Sequence, residues 1–238
     1  MRFVEPKTSD QQARAVLFRA RERIVHQRTE LVNALRSTLY EYGQVVPLGI
    51  SHIKRIEAII EDADVDLPEI VREECRDLLA QIGEKTARIA SKAAKLAELS
   101  RQSDTAWRLQ TMPGVGPMTA MAVDAFAPAM ETFRRGRDFA AWLGLVPRQL
   151  SSGGKEKLGR VSKAGQADIR RLLIIGAMSR LNWLGRKTIA DGSWLIHLLA
   201  RKPLMRVAIA LANKMARAIW AMMMKGENYI DPALRVAR

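Results

Sequence analysis

WRLQTMPGVGPMTAMAVDAF (residues 107–126), followed by FRRGRDFAAWLGLVPRQLSSGGKEKLGRVSKAGQADIRRLL (residues 133–173), is the part of the chain that decides its fold. The first segment reads as helix, tight turn, helix. Pro113 leads into the turn, where Gly114 and Gly116 flank Val115, and glycine enters positive-φ turns without steric cost. A short helix over Thr119 to Ala125 would begin with unpaired backbone N–H groups, which suit a phosphate oxygen. A helix-hairpin-helix of this kind grips nucleic-acid backbone without reading sequence. A plain turn between two packed helices would carry the same signature. In the second segment helices end near Val146 and resume near Ile169. Between them lie Ser151 and Ser152, Gly153 and Gly154, and a run of basic residues. That composition fits an ordinary surface loop, and equally a loop that brings a hydroxyl and cations to a phosphodiester.

Charge is distributed unevenly around this stretch. The 238 residues carry a formal net charge of +14, and 48% of them are hydrophobic, enough for a true core. Residues 1–100 hold 16 Lys/Arg and 16 Asp/Glu, whereas residues 101–238 hold 23 against 9. The whole excess lies in the second part, and residues 134–171 hold 10 basic against 3 acidic residues. One part is neutral and the other is a candidate binder of polyanions. Cys75 is the single cysteine, so an internal disulfide is excluded. Residues 1–20 lack the apolar run of a signal peptide. The most apolar stretch, Pro203 to Met224, is interrupted by Arg206, Lys214 and Arg217, so no membrane partner is expected. The expected location is the cytoplasm, at the nucleoid.

The flanks read as helices. From Ser9 or Asp10 to about Tyr42, Leu17, Ile24 and Leu31 recur every seven residues, with Ala13, Ala20, Ala34 and Leu35 on or near the same seam. A short helix follows over Ser51 to Glu61, then an acidic connector with Asp62, Asp64 and Asp66. No glycine and glutamate follow to complete a calcium loop. Asp66 and Pro68 start a second long helix running to about Arg108, striped by Cys75, Ile82, Ile89 and Leu96. The pair predicts antiparallel coiled-coil helices over residues 1–106, a dimerisation region, in which Cys75 packs in the core. Residues 107–238 form a compact helical domain. It contains a helix from Ala167 to about Arg186, a turn at Asp191–Ser193, a long helix from Pro203 or Leu204 to about Lys225, and a frayed tail from Pro232. The expected fold class is all-α, with minor strands near Leu145 and Arg160.

Residue types constrain the chemistry. A phosphoryl-transfer site needs a nucleophile and groups that stabilise developing charge. Ser151 or Ser152 can supply the first; Arg148, Lys155, Lys157, Arg160 and Lys163 can supply the second. No nearby general base is evident. On residue types alone, a phosphate-gripping loop whose serines only form hydrogen bonds fits better. A two-metal nuclease needs carboxylates gathered in space, and Asp124, Asp138 and Asp168 are scattered on presumed helices, so no metal site is expected.

Two strings, MPGVGPMTAMAV (112–123) and FAAWLGLVPRQLSSGGKEKLGRVSKAGQADIRRLL (139–173), carry a resemblance that covers essentially the whole chain. So does RKPLMRVAIALANKMARAIWAMMMKGENY (201–229), and RERIVHQRTELVNALRSTLYEYGQVVPLG (21–49) adds the region before them. The chain resembles the insertion-sequence one-ten/one-sixteen transposases, at their C-terminal transposase domain and preceding coiled coil. The resemblance implies a DNA recombinase that excises and inserts its own element. It implies guidance by an element-encoded RNA and assembly of dimers into a tetramer. It implies a composite site: an N-terminal domain with four carboxylates binds magnesium, and the C-terminal domain supplies a serine nucleophile, which falls on Ser152 with Ser151 as runner-up. Pro113, Gly114, Val115 and Gly116 would form the helix-hairpin-helix turn, and Lys155, Arg160, Lys163 and Arg170 the DNA/RNA surface. Relative to that pattern, this sequence starts at the junction after the carboxylate domain. The expectation is therefore binding of DNA or guide RNA without recombination by this chain alone, and no cofactor held by it. The alternative function is an inactive nucleic-acid-binding or assembly module.

Overall fold

The computed structural model describes residues 6–155, 157–184 and 194–230. The chain is predominantly helical, with one two-stranded antiparallel sheet. It divides into two compact units, residues 16–95 and residues 1–15 with 96–238. The expected turn at Asp191–Ser193, the end of the helix at Arg186 and the tail from Pro232 lie outside the described residues.

The smaller unit is built from most of α1 (Ser9–Glu41), α2 (Ile53–Glu61) and most of α3 (Glu69–Gln102). Val32, Leu35 and Leu39 of α1 share a core with Ile56 and Ile60 of α2 and with Cys75 and Ile82 of α3. Farther from that end, Arg28 of α1 donates to the Thr86 hydroxyl of α3 at 3.3 Å. Falling numbers on α1 thus meet rising numbers on α3, so the two run antiparallel. The expected α3 stripe is observed: Cys75, Ile82, Ile89 and Leu96 are all buried. The α1 seam agrees with expectation in part: Ile24 and Leu35 are buried, but Leu17 and Leu31 are half-buried, and Phe18, Val32 and Leu39 are buried beside them. Val32, Leu35 and Leu39 supply the i, i+3, i+7 face that turns the helix toward its partners.

Between α2 and α3 the acidic connector closes on an arginine. Buried Arg72 donates to the carbonyls of Ile60 and Val65, satisfying the end of α2. Arg76 bridges Glu61 and Glu69, each at 3.0 Å. Those hydrogen bonds hold the Glu61 carboxyl below its ordinary range.

In the larger unit, α3 ends at Gln102 instead of continuing to Arg108. Ser103 accepts from the Ala106 amide at 3.2 Å and starts a separate helix, α4 (Asp104–Leu109). It continues with α5 (Pro117–Phe126), α6 (Gly136–Trp142), β1 (Pro147–Gln149), β2 (Leu158–Val161), α7 (Ala167–Leu184), α8 (Trp194–Leu199) and α9 (Leu204–Lys225). Helix α9 packs against α4, α6, α7 and α8. Its Val207, Leu211, Met215 and Ile219 face is buried, as the i, i+4 spacing predicts. Among the described residues α9 alone is long and apolar enough to cross a membrane by length and composition, and that apolar face is spent on the core. Pro203 caps its start and Gly226, in the left-handed region at φ 67°, ends it.

Candidate nucleic-acid interface

The turn between α4 and α5 is positioned by one close backbone crossing. Gly114 has φ +89°, and a Cβ there would lie 2.7 Å from the Gly176 carbonyl oxygen on α7. Val115 is buried beneath the turn, and Pro113 is exposed on it. Gly116 corrects the sequence expectation. Its φ is −96° and ψ −179°, extended backbone open to any residue, and it serves as N-cap of α5 with Pro117 at the first helical position. The second helix thus spans Pro117–Phe126, longer than the Thr119–Ala125 expected. Behind it, Asp124 forms an ion pair with Arg14, and Gln11 donates to the Asp124 carbonyl at 3.3 Å.

The Ser/Gly/Lys stretch forms a β-hairpin. Pro147 pairs with Val161 and Gln149 with Leu158. Between these pairs Arg148 alone lies opposite Gly159 and Arg160, which form a bulge. At the tip, Ser152 bridges Lys155, whose amide donates to the Ser152 carbonyl at 3.1 Å. Gly153 and Gly154 stand at φ 58° and 76°, the pair of positive values a two-residue primed turn requires. Neither glycine has a neighbour that an added Cβ would meet.

The two serines have different surroundings. Ser151 Oγ accepts from the Lys157 amide at 3.0 Å and from Gln149 Nε2 at 3.3 Å. It stitches the hairpin together. Ser152 is exposed at the turn, and its hydroxyl has no hydrogen bond among the described residues. Arg148, Lys155, Lys157 and Arg160 are exposed along the same hairpin. Arg148 also donates to the Ser162 carbonyl at 3.3 Å.

Lys163 and Arg170 belong to the hairpin's base. Lys163 is the described non-glycine residue with positive φ, at 55°. Beside it, a Cβ on Gly165 would lie 1.7 Å from the Trp142 carbonyl oxygen, and one on Gly144 2.2 Å from that of Ala164. Arg170 donates to the Leu143 and Ala164 carbonyls at 3.0 and 2.8 Å. Its guanidinium locks the two backbone segments from which the hairpin springs. The structure therefore brings Arg148, Ser151, Ser152, Lys155, Lys157 and Arg160 together on one element. Arg170 is engaged beneath them, and Pro113–Gly116 stands on a separate turn.

Among the described residues no group of three or more His, Cys, Asp or Glu side chains could hold a metal ion. Asp124 is paired with Arg14, and Asp138 with Arg135 at 3.4 Å. Asp124 and Asp138, each held by an arginine, do not fit a magnesium site.

One feature of this unit escaped the sequence. A cavity of about 370 Å³ opens where the hairpin base meets α8 and α9, with Pro147, Val161, Trp194, Arg206, Asn213 and Arg217 among its walls. Arg206, Ala210, Asn213 and Arg217 form an i, i+4, i+7, i+11 stripe on α9. That spacing was the available signal, overshadowed by the apolar stripe beside it.

The family model described as Transposase IS116/IS110/IS902 matches residues 106–190, which span the α4–α5 turn, the hairpin and α7. The chain is 42% identical to a putative transposase y4pF/y4sB of Sinorhizobium fredii, over 96% of this chain and 59% of that protein. It is 39% identical to a probable family 20 transposase of Pseudomonas aeruginosa, over 96% of this chain and 68% of that one. It is 36% identical to the transposase for insertion sequence element IS1111A of Coxiella burnetii, over 96% and 63%. The chain thus spans 59–68% of the length of these relatives. With the family's signature region lying over the turn and hairpin just described, this chain belongs to the IS116/IS110/IS902 family of transposases.

Proposed function

We propose that this chain is a nucleic-acid-binding part of an insertion-sequence transposase that grips DNA backbone and does not exchange strands by itself. The observation that carries this reading is the β1–β2 hairpin. Four exposed cations flank a tip with no side chain between Ser152 and Lys155, so backbone can approach a phosphate closely. The α4–α5 turn, as a helix-hairpin-helix, adds a second backbone contact through the free amides at the start of α5. Among the described residues no group of three or more His, Cys, Asp or Glu side chains could hold a metal ion.

The test is anisotropy titration of a labelled duplex at several salt concentrations. Affinity should fall linearly with log salt, with a slope of about 0.9 per neutralised phosphate. In parallel, purified chain, element DNA, element RNA and magnesium should yield no strand-transfer product. Salt-independent or absent binding would remove the first half of the proposal, and robust product the second.

Ser152 favours a second reading, in which this chain contributes the nucleophile of a site completed by another segment or polypeptide. Its hydroxyl is exposed and unengaged, whereas that of Ser151 is tied into the hairpin. In that reaction the Oγ–phosphorus bond forms as the bond to the leaving strand oxygen breaks. A carboxylate supplied from beyond the described residues takes the hydroxyl proton, and the leaving oxygen is protonated by solvent. Covalent DNA–protein adduct on addition of such a segment in trans, lost in Ser152→Ala, is the expected signature. Guide-RNA binding and self-association through α1 and α3 as a coiled coil complete this reading. RNA titration and light scattering test them.

A further inference from the structure

The cavity at the hairpin base has walls of two kinds. Leu145, Pro147, Val161, Ile209 and Ala210 make it apolar, Arg206 and Arg217 line it too, and among the described residues no carboxylate does. Trp194 is 43% exposed and also lines it. Lys214 Nζ lies 5.0 Å from the indole centroid, so one face of the ring carries a cation. Asn213 donates from Nδ2 to the Leu145 carbonyl at 3.1 Å, which fixes the orientation of its amide in the wall. A volume of about 370 Å³ lies in the range that holds small planar ligands.

These walls do not suit a bare phosphate, which would lose its water against apolar carbon. They do not suit a neutral apolar peptide either, since two arginines are among the lining residues. A nucleotide matches both parts. Its base is flat and stacks on aromatic and guanidinium planes, while its phosphate stays at a cationic rim. Pro147 and Val161 are the paired residues at the root of the hairpin, so a strand held along the hairpin passes the cavity mouth.

We infer that this cavity takes one unpaired nucleobase from a nucleic-acid strand held on the hairpin, stacked at Trp194, with its phosphates at Arg206 and Arg217. The pocket rests on the proposed backbone grip and adds to it a preference for single strands. Nucleotide chemistry is shared by DNA and RNA, and both strands are to be tested.

The experiment uses the full chain and fluorescein-labelled 12-nucleotide DNA and RNA of one mixed sequence, with the matching duplex DNA. Ala210→Trp fills the cavity from α9. It should weaken binding of the single strand at least tenfold and change duplex affinity by less than twofold, with the circular dichroism spectrum unchanged. Whichever of DNA or RNA shows the loss is the occupant. Independently of any variant, a 5-iodouracil oligonucleotide irradiated on the wild-type chain should crosslink to the tryptic peptide that carries Trp194. Unchanged single-strand affinity in a folded Ala210→Trp chain would overturn the inference. So would crosslinks that miss both Trp194 and α9. Should the variant not fold, the crosslink map decides alone. If the wild-type chain binds duplex but fails these tests, only the pocket falls; if it binds no oligonucleotide, the backbone grip falls with it.

Discussion

Gly114 and Gly176 cross backbone to backbone: a Cβ on Gly176 would sit 2.0 Å from the Gly114 carbonyl oxygen, and a Cβ on Gly114 2.7 Å from that of Gly176. No rotamer change relieves such a clash, because both partners are main chain. Gly176→Ala should destabilise the larger unit by about 3 kcal/mol or more, in line with overpacking at a rigid site. Gly114→Ala adds the cost of φ +89° to the clash and should be at least as severe. Gly116→Ala, at extended backbone with open space, should cost no more than about 1 kcal/mol. Thermal denaturation of the three variants checks the ranking, and an equal loss at all three positions would contradict it.

Lys155, Lys157 and Arg160 should each contribute a phosphate contact. Replacing one with alanine is expected to weaken duplex binding without sequence preference and to lower the salt slope by about 0.9. Arg170→Ala should behave differently. Its guanidinium holds the Leu143 and Ala164 carbonyls, so its loss should lower the melting temperature as well as affinity. Anisotropy and thermal melts on the same preparations separate the two classes.

The two serines should part company. Ser152→Ala is expected to leave stability and duplex affinity unchanged. Ser151→Ala removes the acceptor for the Lys157 amide and should cost about 1 kcal/mol, the net worth of one hydrogen bond. Amide hydrogen exchange at Lys157 reads this directly: faster in Ser151→Ala, unaltered in Ser152→Ala.

Arg72→Met should destabilise the smaller unit by about 3 kcal/mol. The substitution fills similar volume but abandons the Ile60 and Val65 carbonyls, and hydrogen bonds from a charged donor are worth about 1.5–3 kcal/mol each. Urea denaturation followed by circular dichroism is the measurement, and a neutral result would show that water replaces the guanidinium.

Burial, with a smaller contribution from the Glu74 charge, pushes the Cys75 thiol up from its ordinary value. The folded state therefore favours the protonated thiol. The stability this brings is complete below the ordinary thiol range of about 8.5 and is lost as pH rises through the raised native value. At pH 7 the native chain should resist alkylation and react fully in urea. Rapid labelling of the folded protein would contradict the core position.

Much of this structure was legible in the sequence, and the failures have physical causes. The α3 stripe and the α9 face could be read because one buried face leaves one period. The α1 seam could be placed only in part: Ile24 and Leu35 are buried as read, but Leu17 and Leu31 compete with Phe18 and Val32 one residue on, and only the partners choose. The hairpin strands are three and four residues long, and β1 is exposed throughout, so no alternation marks them. Of the turn glycines, Gly114 was legible and Gly116 was not, since composition cannot distinguish a positive φ from a capping position. The cationic stretch around Ser152 was visible as chemistry. Its hydrogen-bonded difference from Ser151 arises only once Lys157 folds back across the turn. The cavity was hidden because its walls come from the hairpin base and α9, far apart in the chain.

The order of synthesis gives the hub position of α9 a further meaning. The core of residues 16–95 is contiguous in sequence and can condense as soon as α3 has emerged, since all its members have then been made. The other unit cannot. It waits for α9, the last described helix, and Arg14 must find Asp124 across 110 residues of chain. A ribosome paused before residue 204 would therefore carry a finished small unit beside an open, strongly basic segment. The cationic hairpin would be translated and exposed to nucleic acid before the scaffold that aims it exists.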